Sequence, residues 1–288
     1  MRKLRDPRTW RKQSPEKQVR RARRHLDLRR TLFLLPNMIT LSSVFCGFYS
    51  IVLSAKAASE DEFHRAAILI FFAMFFDMLD GRVARATKTQ SAFGLQIDSL
   101  ADVVSFGAAP ALLVHRWSLE RLGVAGLAAS FIFVACGAVR LARFNVLSMD
   151  TTGAPAKPSR HIVGLPIPGA AGILVSIVIA NRSVEGSLDS TRYAAAILAV
   201  TLFLGFLMVS TVRFRSFKDT RLSARSALLV AFVVASSVLI GTQLRPALVL
   251  VWVLMSYVAL GVVETLWAFW RRDGDRKDGE ASRLETEP

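Results

Sequence analysis

The sequence predicts an all-α protein that crosses a membrane several times, and three observations support this prediction. Of its 288 residues, 52% are hydrophobic and 20% are charged. A soluble domain is roughly 45–50% apolar and about 25% charged. Apolar stretches long enough to span a bilayer recur along the chain, and much of the net charge of +15 precedes the first of them. This pattern excludes a disordered chain, a secreted disulfide scaffold and a simple nucleic-acid-binding domain.

We predict a polytopic transmembrane helical bundle of about eight spans. The apolar stretches cover 31–55, 66–85, 95–114, 124–142, 164–181, 194–210, 226–241 and 247–270. The connections between them are short and leave no room for a soluble domain. The count falls to six or seven if the weaker stretch at 226–241 is re-entrant or fused to a neighbour.

The distribution of basic residues indicates the orientation of these spans. With the N-terminus in the cytoplasm, 30 of the 37 Lys and Arg residues fall on the cytoplasmic side and seven on the other. Basic residues accumulate in cytoplasmic loops. We therefore expect an integral protein of the cell (inner) membrane with an even number of spans, both termini in the cytoplasm and the active site on that side.

The chain is predicted to have three parts. Residues 1–30 form a basic arm with 13 basic and three acidic residues, 31–270 form the transmembrane catalytic domain, and 271–288 form a charged tail. We do not expect a signal peptide, because the basic region is too long and the apolar run after it has the length of a full span. Its arginines are compatible with nucleic acid, but a basic segment before a span is more typical of headgroup binding and orientation. We expect no nucleic-acid partner.

Four aspartates at the predicted cytoplasmic ends of the second and third spans are the main functional signal. Asp77 and Asp80 are three residues apart, and Asp98 and Asp102 are four apart, so each pair lies on one face of its helix. The turn between the helices is short, and the two faces can meet. Ionisable groups inside spans are costly and rare, which makes them functional candidates.

Converging carboxylates repel one another unless a cation lies between them. Oxygen ligands of this type suit two divalent ions, Mg²⁺ or Mn²⁺. Because Mg²⁺ is usually held by carboxylates together with substrate phosphates, the pattern also indicates a phosphate-bearing substrate.

Neighbouring residues agree with a phosphate site. Gly81 leaves the helix surface bare for a ligand, and Arg85 carries a planar fork suited to phosphate one turn further along. Ser91 either caps the next helix or binds phosphate, and Gly94 opens the face before Asp98.

Two alternatives to a metal–phosphate site remain at this level. The first is a structural network of the carboxylates with Arg82 and Arg85. The second is a proton or cation path in a transporter, although the related halves typical of many transporters are not seen. Neither explains four acids, a bare Gly and an Arg within 26 residues.

The spacing of these residues resembles the signature of the CDP-alcohol phosphotransferase family. The matching positions are Asp77-x2-Asp80-Gly81-x2-Ala84-Arg85-x8-Gly94-x3-Asp98-x3-Asp102. Three further stretches resemble one branch of the family, the membrane-embedded phosphatidylserine synthases: LLPNMITLSSVFCGF at 34–48, RLARFN at 140–145 and GLPIPGAA at 164–171. The resemblance covers roughly 31–240 and implies the CDP-alcohol phosphotransferase fold.

This resemblance implies a transferase in which an alcohol attacks the phosphatidyl phosphorus of CDP-diacylglycerol and CMP leaves. For this branch the alcohol is L-serine; the alternative is another acceptor such as inositol phosphate, glycerol phosphate or choline. Asp77, Asp80, Asp98 and Asp102 are then the metal ligands, and Asp102 is also the catalytic base. A homodimer is likewise implied by the family.

The resemblance also implies residues that bind the donor. The candidates for CDP-diacylglycerol are Asn37, Thr40, Gly81, Arg85 and Ser91. For Asn37 and Thr40, helix capping after Pro36 is the ordinary alternative. Position alone gives the candidates for the acceptor, Arg140, Arg143 and Asn145, which end the fourth predicted span at the same cytoplasmic level and could bind a carboxylate or another anionic group. Positive-inside anchoring explains the two arginines almost as well.

Overall fold

The computed structural model describes the backbone of residues 15–87, 89, 91–148, 161–181 and 191–215, with scattered positions between 233 and 259. Side chains are described from residue 35 onward, apart from a few element ends. The side chains of the predicted basic arm, most of the last two predicted spans and the predicted tail at 271–288 lie outside the described residues.

Seven α-helices and two short strands make up the described part of the chain. In chain order they are α1 (Pro15–Lys56), α2 (Glu60–Thr87), α3 (Ala92–Asp102), α4 (Ala109–Trp117), α5 (Val124–Ser148), β1 (His161–Val163), α6 (Ile167–Asn181), α7 (Thr191–Val209) and β2 (Arg213–Arg215). A π-helical turn, Val103–Ala108, joins α3 to α4, and a 3₁₀ turn, Leu119–Leu122, follows α4. The first six predicted spans each correspond to a helix or a helical run.

Three of these helical segments are long and apolar enough to cross a membrane. They are Leu35–Lys56, Ala92–Trp117 and Val124–Leu147, and the apolar helices Ile167–Asn181 and Tyr193–Val209 are shorter. The prediction of a helical membrane protein is confirmed. The count of eight spans stays a prediction.

Small side chains allow α1 to pack closely against its neighbours. The Ser43 hydroxyl donates to the Ala73 carbonyl at 3.0 Å, and the Ser50 hydroxyl donates to the Ala66 carbonyl at 2.8 Å, both on α2. Between them, a Cβ added at Gly47 would lie 2.6 Å from the Ser105 Oγ. Glycine at this position therefore permits the π-helical turn to approach α1.

The π-helical turn lies directly after Asp102 in a run that the sequence predicted as one regular span. Its Ser105 is fully buried, and the Ser105 hydroxyl donates to the Ser43 carbonyl of α1 at 3.1 Å. Such single turns inside α-helices often occur at functional sites. Here the turn fixes how the segment after Asp102 meets α1.

The start of α2 is capped by its own acidic side chain. Glu62 accepts hydrogen bonds from the backbone amides of Ala58 at 2.7 Å and Ser59 at 3.2 Å. A Ser followed three residues later by Glu is a capping-box pattern, which satisfies donors that the first helical turn leaves unpaired. The cap fixes the conformation of the short loop between the end of α1 at Lys56 and the start of α2 at Glu60.

A short antiparallel ribbon joins the segment before α6 to the segment after α7. β1 pairs with β2, with Val163 opposite Arg213. The Gly164 amide donates to the Val212 carbonyl at 2.8 Å, and Gly164 has a φ of +81°. The fifth predicted span, 164–181, is therefore too long at its start: α6 begins at Ile167 because the preceding residues pair with the end of α7.

The core lies around α4 and α6. The largest side chains that are fully buried include Ile70, Phe106, Leu113, Phe133, Ile173 and Leu174. Large apolar side chains on the other helices are exposed, including Phe45, Phe72 and Phe131. This distribution is expected of a bundle whose outer surface faces lipid, because lipid tails solvate apolar side chains.

Candidate active site

Three of the four predicted metal ligands meet between α2 and α3. One carboxylate oxygen from each of Asp77, Asp80 and Asp98 lies within 4.8 Å of the other two. The i,i+3 spacing puts the first two on one face of α2, and packing brings that face towards α3. The arrangement provides oxygen ligands of the kind that a divalent cation prefers.

Asp102 lies beside this cluster and is also buried. Its side chain is only 8% exposed, and its Oδ1 has no hydrogen-bond partner among the described residues. Asp102 lies within electrostatic range of the carboxylates of Asp77 and Asp98 and of the oppositely charged guanidinium of Arg140. An unpartnered buried carboxylate oxygen beside three others is costly without a cation, so the residues present fit a bound metal.

The arginines of α2 do not neutralise the cluster directly. Arg82 and Arg85 are exposed, and neither forms an ion pair with these aspartates within the described part of the chain. A structural salt-bridge network, one of the alternatives from the sequence, is therefore not what the described side chains form.

Thr40 connects α1 to the carboxylates. Its hydroxyl lies 2.7 Å from the Asp80 Oδ2 and 3.1 Å from the Pro36 carbonyl, and both Thr40 and Asp80 are buried. Because a hydroxyl carries one proton, the shorter contact to a carboxylate is the stronger hydrogen bond. Thr40 thus orients Asp80, in addition to the local contact expected of a residue one turn after a proline.

Gly81 and Arg85 lie together, as the sequence spacing predicted. A Cβ added at Gly81 would be 3.4 Å from the nearest guanidinium nitrogen, Nη1 of Arg85. The glycine therefore leaves room for the arginine to lie along α2 next to Asp80. The guanidinium is exposed and free of ion pairs among the described residues.

Ser91, Gly94 and Asn37 form a second group near the start of α3. Ser91 is the N-cap residue, and its hydroxyl accepts a hydrogen bond from the Gly94 amide at 3.0 Å. A Cβ added at Gly94 would lie 3.2 Å from the Ser91 Oγ and 3.9 Å from the Asn37 Oδ1. Of the two roles open to Ser91, the structure shows capping, and it brings Asn37 of α1 to the same place.

The three acceptor candidates on α5 have different surroundings. Arg140 is 8% exposed, and its Nε lacks a hydrogen-bond partner among the described residues. The positive charge of Arg140 interacts electrostatically with the Asp102 carboxylate. Arg143 instead donates to the carbonyls of Val209 at 2.9 Å and Ser210 at 3.3 Å, at the end of α7. Cations at a helix C-terminus are favourable, so the observed contacts of Arg143 are structural.

Asn145 joins α5 to α3 through a contact that the sequence did not reveal. Its Nδ2 donates to the Ser99 Oγ at 2.9 Å, and the Ser99 hydroxyl lies 3.1 Å from the Asn145 Oδ1. Ser99 follows Asp98 directly, and the sequence analysis missed it. The one sequence feature that could have pointed to Ser99 is its hydroxyl-bearing side chain between Asp98 and Asp102.

The fold and the site together define a class of protein. The chain is a helical integral membrane protein with a cluster of carboxylates between two helices, an exposed arginine beside it and a glycine over which that arginine lies. A profile of the CDP-alcohol phosphatidyltransferase family matches residues 33–207. The chain belongs to this family.

Curated relatives extend the match beyond the signature. A protein of Helicobacter pylori (strain ATCC 700392 / 26695) is 39% identical over 202 residues, which is 69% of this chain and 79% of the relative. A protein of Methanocaldococcus jannaschii is 32% identical over 66% of this chain and 78% of its own length. A protein of Bacillus subtilis (strain 168) is 32% identical over 64% and 91% respectively. Each relative is named CDP-diacylglycerol–serine O-phosphatidyltransferase.

Proposed function

We propose that this protein transfers the phosphatidyl group of CDP-diacylglycerol to the hydroxyl of L-serine, giving phosphatidylserine and CMP. The observation that carries the proposal is the meeting of Asp77, Asp80 and Asp98 within 4.8 Å at the family's signature positions. The names of the relatives supply the acceptor.

The carboxylates are the proposed ligands of two divalent ions, Mg²⁺ or Mn²⁺. Asp77, Asp80 and Asp98 supply the oxygens that lie together, and Asp102 adds an oxygen that has no hydrogen-bond partner among the described residues. When bound, the ions neutralise the diphosphate of the donor and the charge of the departing CMP.

The donor is proposed to bind over the bare surface of α2. Arg85 offers an exposed guanidinium that can bind phosphate oxygens with two parallel hydrogen bonds. Gly81 lets the donor approach the helix backbone, and Asn37 and Ser91 lie together at the start of α3. Thr40 contributes by fixing Asp80, which it contacts directly.

The reaction forms one P–O bond and breaks another. The serine hydroxyl oxygen attacks the phosphatidyl phosphorus, and its proton passes to the carboxylate of Asp102. The bond between that phosphorus and the bridging oxygen breaks, and CMP leaves with the electron pair. Asp102 is buried and lies within electrostatic range of Asp77 and Asp98, which supports its proposed role as the acceptor of this proton.

The acceptor is proposed to bind near Arg140. Its guanidinium is buried close to Asp102 and has an unpaired Nε among the described residues, which suits the serine carboxylate. Arg143 and Asn145 stay predictions as acceptor ligands, since each already has hydrogen-bond partners on another helix.

We also propose the finer points of placement that the sequence predicted. The excess of basic residues on one side supports a cytoplasmic active site with both termini in the cytoplasm, in the cell (inner) membrane. The division into an arm at 1–30, a catalytic domain at 31–270 and a tail at 271–288 remains part of this proposal. The homodimer rests on the family resemblance alone.

The proposal is tested by CMP release from purified full-length protein in detergent–lipid micelles containing CDP-diacylglycerol. We expect release only when L-serine and Mg²⁺ or Mn²⁺ are both present, and phosphatidylserine as the lipid product. Release driven by inositol phosphate, glycerol phosphate or choline instead of serine would overturn the acceptor assignment. Release that is unaffected by EDTA would overturn the metal site.

A further inference from the structure

A polar pocket lies at the opposite end of the bundle from the carboxylates. It has a volume of about 490 Å³ and is formed by the α1–α2 connection, the last turn of α4 and the 3₁₀ turn that follows. The lining residues that matter for its chemistry are Ser59, Glu60, Arg116, Trp117, Glu120 and Arg121. Its volume is within the usual range for small-molecule sites, roughly 300–1,000 Å³.

The position of this pocket is fixed by α2. Glu60 starts α2, and Asp80 lies 20 residues later in the same helix, which corresponds to roughly 30 Å at about 1.5 Å per residue. The hydrocarbon core of a bilayer is also about 30 Å thick. The pocket and the carboxylates therefore lie at opposite membrane interfaces, and the pocket cannot be part of the active site.

The pocket carries charges of both signs. Glu60 and Glu120 oppose Arg116 and Arg121, and the Arg116 guanidinium already pairs with Glu120 at 2.5 Å. Glu60 is held in place by the Asn181 Nδ2, which donates to it at 2.7 Å. Few basic residues of the chain fall on this side, so two arginines in one pocket are unexpected from orientation alone.

Trp117 adds a hydrogen-bond donor that has no acceptor. Its side chain is 3% exposed, and its indole Nε1 has no partner among the described residues. A buried N–H without an acceptor costs free energy. Tryptophan is enriched at the membrane–water interface, where its ring lies in apolar surroundings and its N–H bonds polar groups of the lipid.

We propose that this pocket binds the headgroup of a zwitterionic phospholipid from the leaflet opposite the active site. The phosphate is bound by Arg121 and the Trp117 N–H, and the ammonium group by Glu60. The Arg116–Glu120 pair is neutral as a unit, so the headgroup meets one further carboxylate and one further guanidinium, which an ammonium joined to a phosphate matches. The acyl chains remain in the bilayer beside the bundle.

The test is native mass spectrometry of the full-length protein released from micelles that contain dioleoylphosphatidylethanolamine or dioleoylphosphatidylglycerol. We expect the wild type to retain the ethanolamine lipid more tightly than the glycerol lipid. Arg121→Gln and Trp117→Phe should weaken this retention by about tenfold, since each removes a hydrogen bond to a charged group. Arg65→Gln, an exposed arginine of α2 outside the pocket, is the matched control and should have no effect.

Three results would overturn the proposal. They are equal retention of the two lipids, equal retention by Arg121→Gln and Arg65→Gln, and displacement of the lipid by O-phosphoethanolamine at the same concentration, which would identify a soluble ligand. Arg121 is exposed, so its substitution should not prevent folding, and an unchanged Tm in detergent checks this. Lipid retention is measured without turnover, so this test of the pocket stays valid even if the proposed function fails.

Discussion

Replacing Thr40 by valine tests whether a residue of α1 organises the carboxylates of α2 and α3. Valine has almost the same shape as threonine and lacks the hydroxyl that lies 2.7 Å from the Asp80 Oδ2. The packing of α1 against α2 should therefore be kept while the hydrogen bond is lost. Asp80 would then be free to leave the position in which its oxygen lies near those of Asp77 and Asp98.

The size of the effect follows from the type of hydrogen bond. A buried hydrogen bond to a charged group contributes about 1.5–3 kcal/mol, which corresponds to roughly 10- to 100-fold in an equilibrium constant. Loss of a partner that orients a metal ligand typically costs a similar factor, about 10–100-fold, in metal affinity or activity. We therefore expect the half-saturating Mn²⁺ concentration of Thr40→Val to rise by about 10- to 100-fold.

The assay is CMP release as a function of Mn²⁺ at saturating CDP-diacylglycerol and L-serine. Thr40→Ser keeps the hydroxyl and should stay close to the wild type. Ser42 lies on the same helix, and in the described structure its hydroxyl donates only to the Met38 carbonyl. Ser42→Ala should therefore leave the Mn²⁺ dependence unchanged. Equal Mn²⁺ dependence for Thr40→Val, Thr40→Ser and Ser42→Ala would refute the role assigned to Thr40.

Three further predictions concern the site and the fold. Asp98→Asn should lower turnover by more than about a hundredfold without loss of membrane insertion, because a direct metal ligand matters more than a residue such as Thr40 that only orients a ligand. Asp61→Asn, at the other end of α2, is the control, and equal CMP release by the two variants would contradict the metal assignment. Arg85→Lys should raise the KM for CDP-diacylglycerol by about tenfold, because two-point phosphate binding is lost; an unchanged donor KM would contradict it. Gly164→Ala should lower the Tm in detergent more than Gly123→Ala. Both residues have positive φ, but only at Gly164 would a Cβ meet a carbonyl, that of Met208, at 2.3 Å, and equal Tm values would contradict the clash.

Much of the carboxylate site follows from residue type and spacing. Aspartates inside apolar helices are expensive, so their presence at Asp77, Asp80, Asp98 and Asp102 already indicated a site. Helical periodicity put each pair on one face, and the short connection made the helices neighbours. The structure agrees, with three of the four carboxylates within 4.8 Å.

Contacts between distant parts of the chain were not accessible in this way. The hydrogen bonds of Thr40 to Asp80 and of Asn145 to Ser99 join residues 40 and 46 positions apart. Nothing in the local pattern distinguishes these polar residues from ordinary helix-capping or interfacial ones. Their partners depend on how α1, α2, α3 and α5 pack, and packing is set by all the helices together.

The sequence by itself determined the helical membrane class, the location of the acidic site and the family signature, because apolar length, charge inside spans and motif spacing are local properties of the chain. The tertiary structure decided that Arg140 lies near Asp102 whereas Arg143 binds the end of α7. It also decided that a π-helical turn follows Asp102 and that a charged pocket forms at the far end of the bundle. These features arise only when helices distant in sequence come into contact, because the position of each side chain is then fixed by its neighbours in space.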